Sequence, residues 1–234
     1  MRVFIGMETS GALRRRFLHL GHDVFSCDML PAEDGGDADH IIGDVFAALD
    51  DLWAIGWWPE LAIFHPTCTY LTNSAAWAFA DPDFERYPGV GYHQRVQPGT
   101  LTGVERRRAR VAALDDVRKI MALPIRRKVI ENPRGAIGSM IAKPTQVVQP
   151  YEFGDDASKA TCLWMLDKDG QQDASMRLPI DPAKRVQGRI VNGVERWANQ
   201  TDTGQNRLSP GADRWKERSR TYPGIADAIA AHLG

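Results

Sequence analysis

The sequence predicts an α/β fold built on a doubly wound, mostly parallel sheet. Short apolar runs end in polar turns along the first half of the chain, and segments with helical spacing of apolar residues lie between them. Strands that alternate with helices are typical of parallel sheets with right-handed crossovers. A length of 234 residues is enough for one sizeable domain of this kind, with a small appendage.

Four apolar runs predict the first strands, at residues 2–6, 23–27, 41–45 and 61–64, the third being a strand or a turn. Helices are predicted from the polar turn at residues 8–11 to about Leu20, and over residues 46–52. Ser10 or Thr9 is expected to cap the first helix, because short polar side chains accept hydrogen bonds from the free N–H groups at a helix start.

The later part of the chain is more varied. Residues 81–100 are rich in Pro, Gly, Tyr and Arg and predict a mobile loop or an insertion. A basic amphipathic helix is predicted over residues 105–121, with Val111, Leu114, Val117 and Met121 on its apolar face. Strands are predicted at residues 128–133, 145–149 and 160–166. The last two strands can be parallel or antiparallel to their neighbours. A final helix is predicted to begin at Pro223.

Composition excludes several classes of protein. The net charge of -1 provides no global positive field, so nucleic-acid binding needs a local basic face. Cys27, Cys68 and Cys162 form no CxxC pair, and an odd number of cysteines without a signal-peptide pattern favours free thiols in a reducing cytoplasm. No apolar stretch approaches the roughly 18–20 residues of a membrane helix. His65 and Cys68 have HxxC spacing, but no second pair completes a zinc site, so no metal is expected.

Polar side chains follow successive predicted strands, where an open α/β sheet binds its ligands. Asp28 is placed to accept the two hydroxyls of a ribose, and Asp44 to accept the exocyclic amine of an adenine. The first turn lacks the GxGxxG pattern of a pyrophosphate cradle. An adenosyl ligand without pyrophosphate suits this pattern, which indicates S-adenosylmethionine. A single aspartate at a strand end is, however, more often a helix cap. The predicted cofactor-binding residues are Glu8, Thr9, Ser10, Gly11, Asp28, Asp44 and Pro66.

Cys68 follows the apolar run at 61–64 and a proline turn, so it is predicted to stand at the same edge of the sheet. A thiolate there is a nucleophile where the surroundings favour its ionised form. The alternative is that Cys68 is a small buried apolar residue.

These residues resemble the DNA cytosine-5 methyltransferases, whose catalytic Pro-Cys pair is followed later by Glu-Asn-Val. The matching segments are Pro66-Thr67-Cys68 and Glu131-Asn132-Pro133, and residues 153–161 are similar to a later Phe-Gly motif in which Lys159 takes the place of an arginine. The chain resembles more closely a group of short phage or prophage methyltransferase-like proteins. They share its His-Pro-x-Cys-Thr-Tyr-Leu and Arg-Ser-Arg-Thr-Tyr-Pro-Gly-Ile-Ala patterns.

The resemblance implies a Rossmann-like S-adenosylmethionine-dependent methyltransferase fold and methyl transfer to carbon-5 of cytosine in DNA. Cys68 would add to carbon-6 of the base, and Glu131 would protonate N3 if burial raises its pKa. Asn132 would fix the base edge or brace the loop, and Lys159 would position the substrate. The chain departs from the family in Thr67, which separates the proline from the cysteine, and in its altered first motif.

The resemblance also divides the chain into a catalytic core (residues 1–166), a short irregular insertion in place of a target-recognition domain (167–213) and a C-terminal segment that returns to the core (214–234). Because the insertion is short, the expected substrate is single-stranded or loosely specified DNA. Basic and aromatic residues mix near the end of the chain, which suits single strands. The predicted nucleic-acid contacts are Arg214, Trp215, Arg218 and Arg220. A free pyrimidine nucleotide as substrate, or an inactive phage protein that binds nucleic acid or a methyltransferase, remain alternatives.

Overall fold

The structure is a computed structural model, and it describes residues 1–73, 76–81, 99–208 and 214–234. The side chains of Asp37 and of residues 214–216 are outside the description. Most of the predicted loop or insertion at residues 81–100 also lies outside the described residues.

The described residues form a central sheet of seven strands in the order β3-β2-β1-β4-β5-β7-β6. Strands β1 to β5 run parallel to one another, whereas β7 is antiparallel to both β5 and β6. This confirms the predicted mostly parallel α/β sheet, which is compatible with a Rossmann-like fold. The strands are β1 (Arg2–Gly6), β2 (Asp23–Asp28), β3 (His40–Ile42), β4 (Leu61–Phe64), β5 (Arg127–Pro133), β6 (Gln146–Val148) and β7 (Thr161–Asp167).

Helices cover both faces of this sheet, which is why its central strands are apolar on both sides. One face packs against α2 and α4, and the other packs against α1 and α7. Alternate residues of β4 belong to the two cores, and all four are buried. The helices are α1 (Ala12–His19), α2 (Val45–Ala54), α3 (Cys68–Leu71), α4 (Gly103–Ala122), α5 (Ala136–Met140), α6 (Arg214–Ser219) and α7 (Pro223–Leu233).

The strand order reverses between β1 and β4, and this switch point positions the site. The chain builds β2 and β3 on one side of β1 and then returns to build β4 and β5 on the other. The last paired residues of β1 and β4 are Gly6 and Phe64. A Cβ atom at Gly6 would lie 2.7 Å from side-chain atoms of Phe64 and Val45, so only glycine fits there. Ligands of open α/β sheets bind in the crevice beyond such a reversal.

Some local predictions are wrong. The N-cap residue of the first helix is Gly11, in a left-handed conformation with φ 64°, and not Thr9 or Ser10. The Ser10 hydroxyl still accepts a hydrogen bond from the first helical N–H, that of Ala12, at 3.2 Å. Val111 is 56% exposed and so does not belong to the buried face of α4, whereas Leu114 and Val117 are buried there as predicted, together with Ala113 and Ile120.

The segment predicted to be irregular contains a hairpin. Strands β8 (Arg189–Val191) and β9 (Val194–Arg196) pair antiparallel within residues 167–208. Pro223 opens α7, as predicted. Of the helices in the described ranges, none has both the length and the apolar character that crossing a bilayer requires.

Candidate active site

The polar turns that follow the parallel strands come together around one cleft of about 390 Å³. This volume is within the range of roughly 300–1,000 Å³ that small-molecule sites usually occupy. We call it the acidic cleft, because its described lining includes six acidic and three basic side chains. The predicted site residues that line it are Glu8, Thr9, Ser10, Asp28, Asp44, Pro66, Cys68, Glu131, Asn132, Lys159, Arg218 and Arg220.

A second, larger cleft of about 1030 Å³ meets the acidic cleft at Cys68. We call it the basic cleft, because seven cationic and three acidic side chains line it within the described residues. Lys159, Arg218 and Arg220 line both clefts. The structure therefore places one cysteine between surfaces of opposite charge.

Cys68 differs from the other two cysteines in its exposure. It is half-buried at the start of α3, whereas Cys27 and Cys162 are buried inside the sheet. Burial raises the pKa of the Cys68 thiol, the positive charge of Lys159 opposes this shift, and the negative charge of Glu131 adds to it. In the free protein the sulfur is consequently a thiol at neutral pH, and a nucleophilic role would require the loss of its proton.

Two arginines of α4 hold the short helix that carries Cys68. Arg106 donates from Nη2 to the carbonyl oxygen of Thr69 at 2.8 Å, and Arg110 donates from Nε to that of Tyr70 at 2.8 Å. This part of the basic cluster on α4 therefore braces the site. A close backbone approach supports α3 from its other side, since a Cβ atom at Gly135 would lie only 1.9 Å from the carbonyl oxygen of Leu71.

Glu131 lies at the end of β5, 5% exposed, where it accepts a hydrogen bond from Nδ1 of His65 at 3.2 Å. Burial acts to raise the pKa of Glu131. The hydrogen bond from His65 and the charge of Lys159 outweigh burial, so the pKa is lowered. The expectation that desolvation raises this pKa is wrong for the free protein, in which Glu131 is a carboxylate.

Asn132 joins β5 to the turn that precedes Cys68. Its Nδ2 donates to the carbonyl oxygen of Pro66 at 2.7 Å, so this side chain braces the loop, as one of its two predicted roles requires. Lys159 also makes structural contacts, because its Nζ donates to the carbonyl oxygens of Arg220 at 3.0 Å and Ser219 at 3.5 Å. It thereby links the turn before β7 to the C-terminal segment.

Glu8 organises the turn after β1. Its Oε1 accepts hydrogen bonds from the backbone N–H of Ala12, at 2.9 Å, and from the hydroxyl of Ser10. Glu8 thus accepts a hydrogen bond from an N–H group at the start of α1, the interaction that was expected from Ser10 or Thr9. The hydroxyl of Thr9 donates to Glu33 at 2.8 Å. Gly11 has a positive φ, and a Cβ atom there would lie 2.0 Å from a carboxylate oxygen of Asp34, so the position requires glycine.

Three buried polar atoms around the acidic cleft have no hydrogen-bond partner within the described part of the chain: Oε2 of Glu8, Nε2 of His65 and Oδ1 of Asn132. They lie at the ends of three neighbouring strands, β1, β4 and β5. Buried polar atoms are rarely left unpaired in proteins, so this grouping indicates a place where a ligand or water supplies the missing partners.

Asp28 and Asp44 lie where the sequence predicts them: Asp28 is the last residue of β2, and Asp44 directly precedes α2. Asp28 accepts a hydrogen bond from the N–H of Leu30 at 3.0 Å, and burial raises its pKa. Asp44 caps α2 through Oδ1, which accepts from the N–H groups of Phe46 and Ala47 at 3.0 Å each. The ordinary capping role of Asp44 is therefore present; contact with adenine remains a prediction.

The C-terminal segment borders both clefts through Arg218 and Arg220. Arg220 is paired with Glu33 at 2.7 Å. The predicted contacts of Arg214 and Trp215 involve side chains outside the described ones. Within the described residues, no group of three or more His, Cys, Asp or Glu side chains is placed to hold a metal ion.

Sequence reasoning missed the role of His65, which it weighed only as a zinc ligand. Its position directly after β4 was the available signal, because the ends of the other parallel strands, β1, β2, β3 and β5, each place a polar side chain in the cleft. The chain matches no protein-family model, and a comparison with curated proteins finds no match either.

Proposed function

We propose that this protein transfers a methyl group from S-adenosylmethionine to carbon-5 of cytosine in DNA, through a covalent adduct on Cys68. The observation that carries the proposal is the position of Cys68: a half-exposed thiol at a strand end, between the two clefts. Buried Glu131 is close enough to influence its pKa. A carbon that is a poor nucleophile becomes reactive when a thiolate adds to its neighbour in the ring.

The acidic cleft fits a cationic adenosyl cofactor. S-adenosylmethionine supplies an electrophilic methyl group on a positively charged sulfur, and it carries no phosphate. A buried carboxylate, Glu8, occupies the turn where dinucleotide-binding folds receive a pyrophosphate, so the electrostatics there favour a cation. Asp28 would hold the ribose hydroxyls, Asp44 the adenine amine and Glu8 the ammonium group.

The residues of the site divide the reaction between them. Cys68 would pass its proton to the carboxylate of Glu131, its thiolate would add to carbon-6 of the pyrimidine, and Glu131 would give that proton to N3. Because Glu131 is ionised in the free protein, it needs to acquire that proton as the entering base removes the remaining water. Asn132 holds the loop of Pro66 in place during this step. Carbon-5 would then form a bond to the methyl carbon of S-adenosylmethionine as the methyl–sulfur bond breaks and S-adenosylhomocysteine leaves. Loss of the carbon-5 proton to water, expulsion of the thiolate and return of the N3 proton to Glu131 would restore Cys68.

The substrate side of the proposal rests on the basic cleft. A cytosine in a duplex is out of reach of a recessed thiol, so the base has to be flipped out or lie in a single strand. Arg218 and Arg220 would meet the backbone phosphates, together with Arg214 and Trp215. We place this activity in the cytoplasm of a bacterial host cell, in a protein encoded by a phage or prophage.

A free pyrimidine nucleotide is the second candidate substrate. The volume of the basic cleft, about 1030 Å³, is at the upper limit for a small-molecule site, and its cations suit a 5′-phosphate. The same thiol chemistry would then act before the nucleotide is polymerised.

Incorporation of tritiated methyl groups tests both candidates. Single-stranded DNA, duplex DNA and dCMP are offered in parallel, and label in either DNA supports the proposal, whereas label in dCMP alone selects the second candidate. Label in none of them overturns methyl transfer and leaves a binding protein.

Calorimetry tests the cofactor separately. Asp28→Ala should weaken S-adenosylmethionine binding by about 10- to 150-fold, because a hydrogen bond to a charged group contributes about 1.5–3 kcal/mol. Asp169→Ala, at an exposed residue outside both clefts, is the control and should leave binding unchanged. Equal binding by both variants would remove the cofactor assignment.

A further inference from the structure

His65 and Glu131 form a buried pair that the proposed chemistry does not yet use in full. Their side chains are 10% and 6% exposed, and they join the ends of the neighbouring strands β4 and β5. Nδ1 of His65 donates to Oε2 of Glu131 at 3.2 Å, whereas Oε1 accepts no hydrogen bond within the described part of the chain. One carboxylate oxygen is therefore held by the protein, and the other is left for a ligand in the acidic cleft.

We propose that His65 is a positioning residue for Glu131: its hydrogen bond to Oε2 turns the carboxyl so that Oε1 meets the ring edge of the pyrimidine. This inference rests on the proposed function and names the residue that sets the geometry of its proton donor.

The hydrogen bond from His65 restricts the orientation of the Glu131 carboxyl plane, since it directs one of the two equivalent oxygens at Nδ1. Rotation of the Glu131 carboxyl would break the bond to Nδ1 and leave that nitrogen without its partner in a buried position, in addition to Nε2, which already has none within the described residues. The backbone gives further support, because the N–H of His65 donates to the carbonyl oxygen of Gly6 at 3.0 Å and so fixes the backbone of His65 beside β1.

Two substitutions separate the hydrogen bond from the bulk of the ring. His65→Asn keeps an N–H donor near the position of Nδ1, and His65→Leu fills a similar volume without a donor. His65→Leu should lower kcat by about 100-fold with KM nearly unchanged, because a misplacement of about 1 Å costs that much. His65→Asn should recover most of kcat. His22→Asn, at a histidine outside both clefts, is the matched control.

A titration of Glu131 tests the pair without any methyl transfer. The ¹³C shift of its carboxyl reports its ionisation, and the pKa, lowered in the wild type, should rise in His65→Leu and stay low in His65→Asn. Lys159 remains in all the variants, so the difference belongs to His65. The other titratable or charged groups around Glu131 are Cys68, Lys159, Cys162 and, across the cleft, Glu8, Asp28 and Arg218.

The outcomes are distinct. An unchanged Glu131 titration in His65→Leu, or a kcat equal to that of the wild type, overturns the inference. If His65→Leu does not fold, the proton on Nδ1 of His65 provides the test. A proton magnetic resonance signal that is protected from solvent exchange should be present in the wild type and absent from His65→Asn. Absence of this signal from the wild type also overturns the inference. A wild type without methyl transfer defeats the proposed function, yet the titration and the proton signal still decide whether His65 holds Glu131.

Discussion

Replacement of Cys68 by serine should abolish covalent capture of a cytosine without unfolding the protein. The side chain is half-buried, and no other side chain donates to or accepts from its sulfur within the described residues. The change in the free energy of unfolding should therefore stay within about 0.5 kcal/mol, as for substitutions away from the core. A serine hydroxyl is far less acidic than a thiol, so the nucleophile is lost while the fold remains.

Cys27 provides the matched control, because it has the same chemistry in a different place. It is 0% exposed in β2, and its thiol donates to the carbonyl oxygen of Gly43 at 3.4 Å. Cys27→Ser buries a hydroxyl that can keep this bond, at a cost of about 1–3 kcal/mol. The control should thus lose stability and keep the adduct, whereas Cys68→Ser should keep stability and lose the adduct.

A 5-fluorocytosine oligonucleotide, incubated with S-adenosylmethionine, is the probe, since fluorine at carbon-5 prevents the thiolate from being released. Denaturing gels should show a shifted band for the wild type and Cys27→Ser, and none for Cys68→Ser. A band of equal strength in Cys68→Ser would refute the reasoning, because another residue would then be the nucleophile.

The pH dependence of Cys68 alkylation gives a second measurement on the same residue. Because burial raises its pKa above the ordinary 9.0, less than about 1% of the thiol is ionised at pH 7. Alkylation by iodoacetamide should therefore rise about tenfold per pH unit up to the raised pKa. Cys27, with a pKa of about 11 and no exposure, should stay unmodified in the native protein.

Three further predictions concern stability and binding. The lowered pKa of Glu131 means that its ionised form stabilises the fold above the ordinary value of 4.5 and that this contribution disappears as the pH falls through the lowered pKa. When the pH is lowered from about 6 to about 3, the free energy of unfolding measured in urea should thus fall less for Glu131→Gln than for the wild type. An equal fall in the two proteins would contradict the lowered pKa. Gly135→Ala should destabilise by about 1–3 kcal/mol and reduce methyl transfer about 100-fold, because its Cβ would lie 1.9 Å from a carbonyl oxygen of α3. Gly138→Ala, whose Cβ would meet nothing nearer than 4.0 Å, is the control, and similar thermal melts for the two variants would refute the clash. Arg218→Gln should flatten the salt dependence of single-strand affinity by about 0.7 in the log–log slope, whereas Arg118→Gln, outside both clefts, should not; equal slopes would remove the phosphate contact.

The sheet could be predicted because strands covered on both faces have a plain sequence signature. Leu61–Phe64 is a continuous apolar run, and all four of its residues are buried. The hairpin of β8 and β9 was missed although a signal existed. Asn192 and Gly193, at φ 50° and 75°, form a two-residue turn between short runs, and an Asn-Gly pair between two such runs is a strong indication of a hairpin.

The site could be predicted only to the level of which turns meet. The carboxyl ends of parallel strands share one edge of the sheet, so Asp28, Cys68 and Glu131 could be grouped without coordinates. The partner of Glu131 could not be found in this way. His65 lies 66 positions away, and whether its ring reaches a particular carboxylate oxygen depends on the register of β4 and β5. The direction of the pKa shift of Glu131 depends on that same contact, so the condition set for its role, that burial raises the pKa, is not met in the free protein.

The charge of the two clefts explains why composition says so little about ligands. A net charge of -1 favours no partner. Among the described residues, however, acidic side chains outnumber basic ones by six to three in the acidic cleft, and basic side chains outnumber acidic ones by seven to three in the basic cleft. The proposed methyl donor has a positively charged sulfur, and the proposed DNA strand is a polyanion. An uncharged surface would not distinguish between these two ligands. Surfaces of opposite sign on either side of Cys68 would direct each to its own side. The sulfur, lying at the boundary, is then the point at which the two reactants can meet.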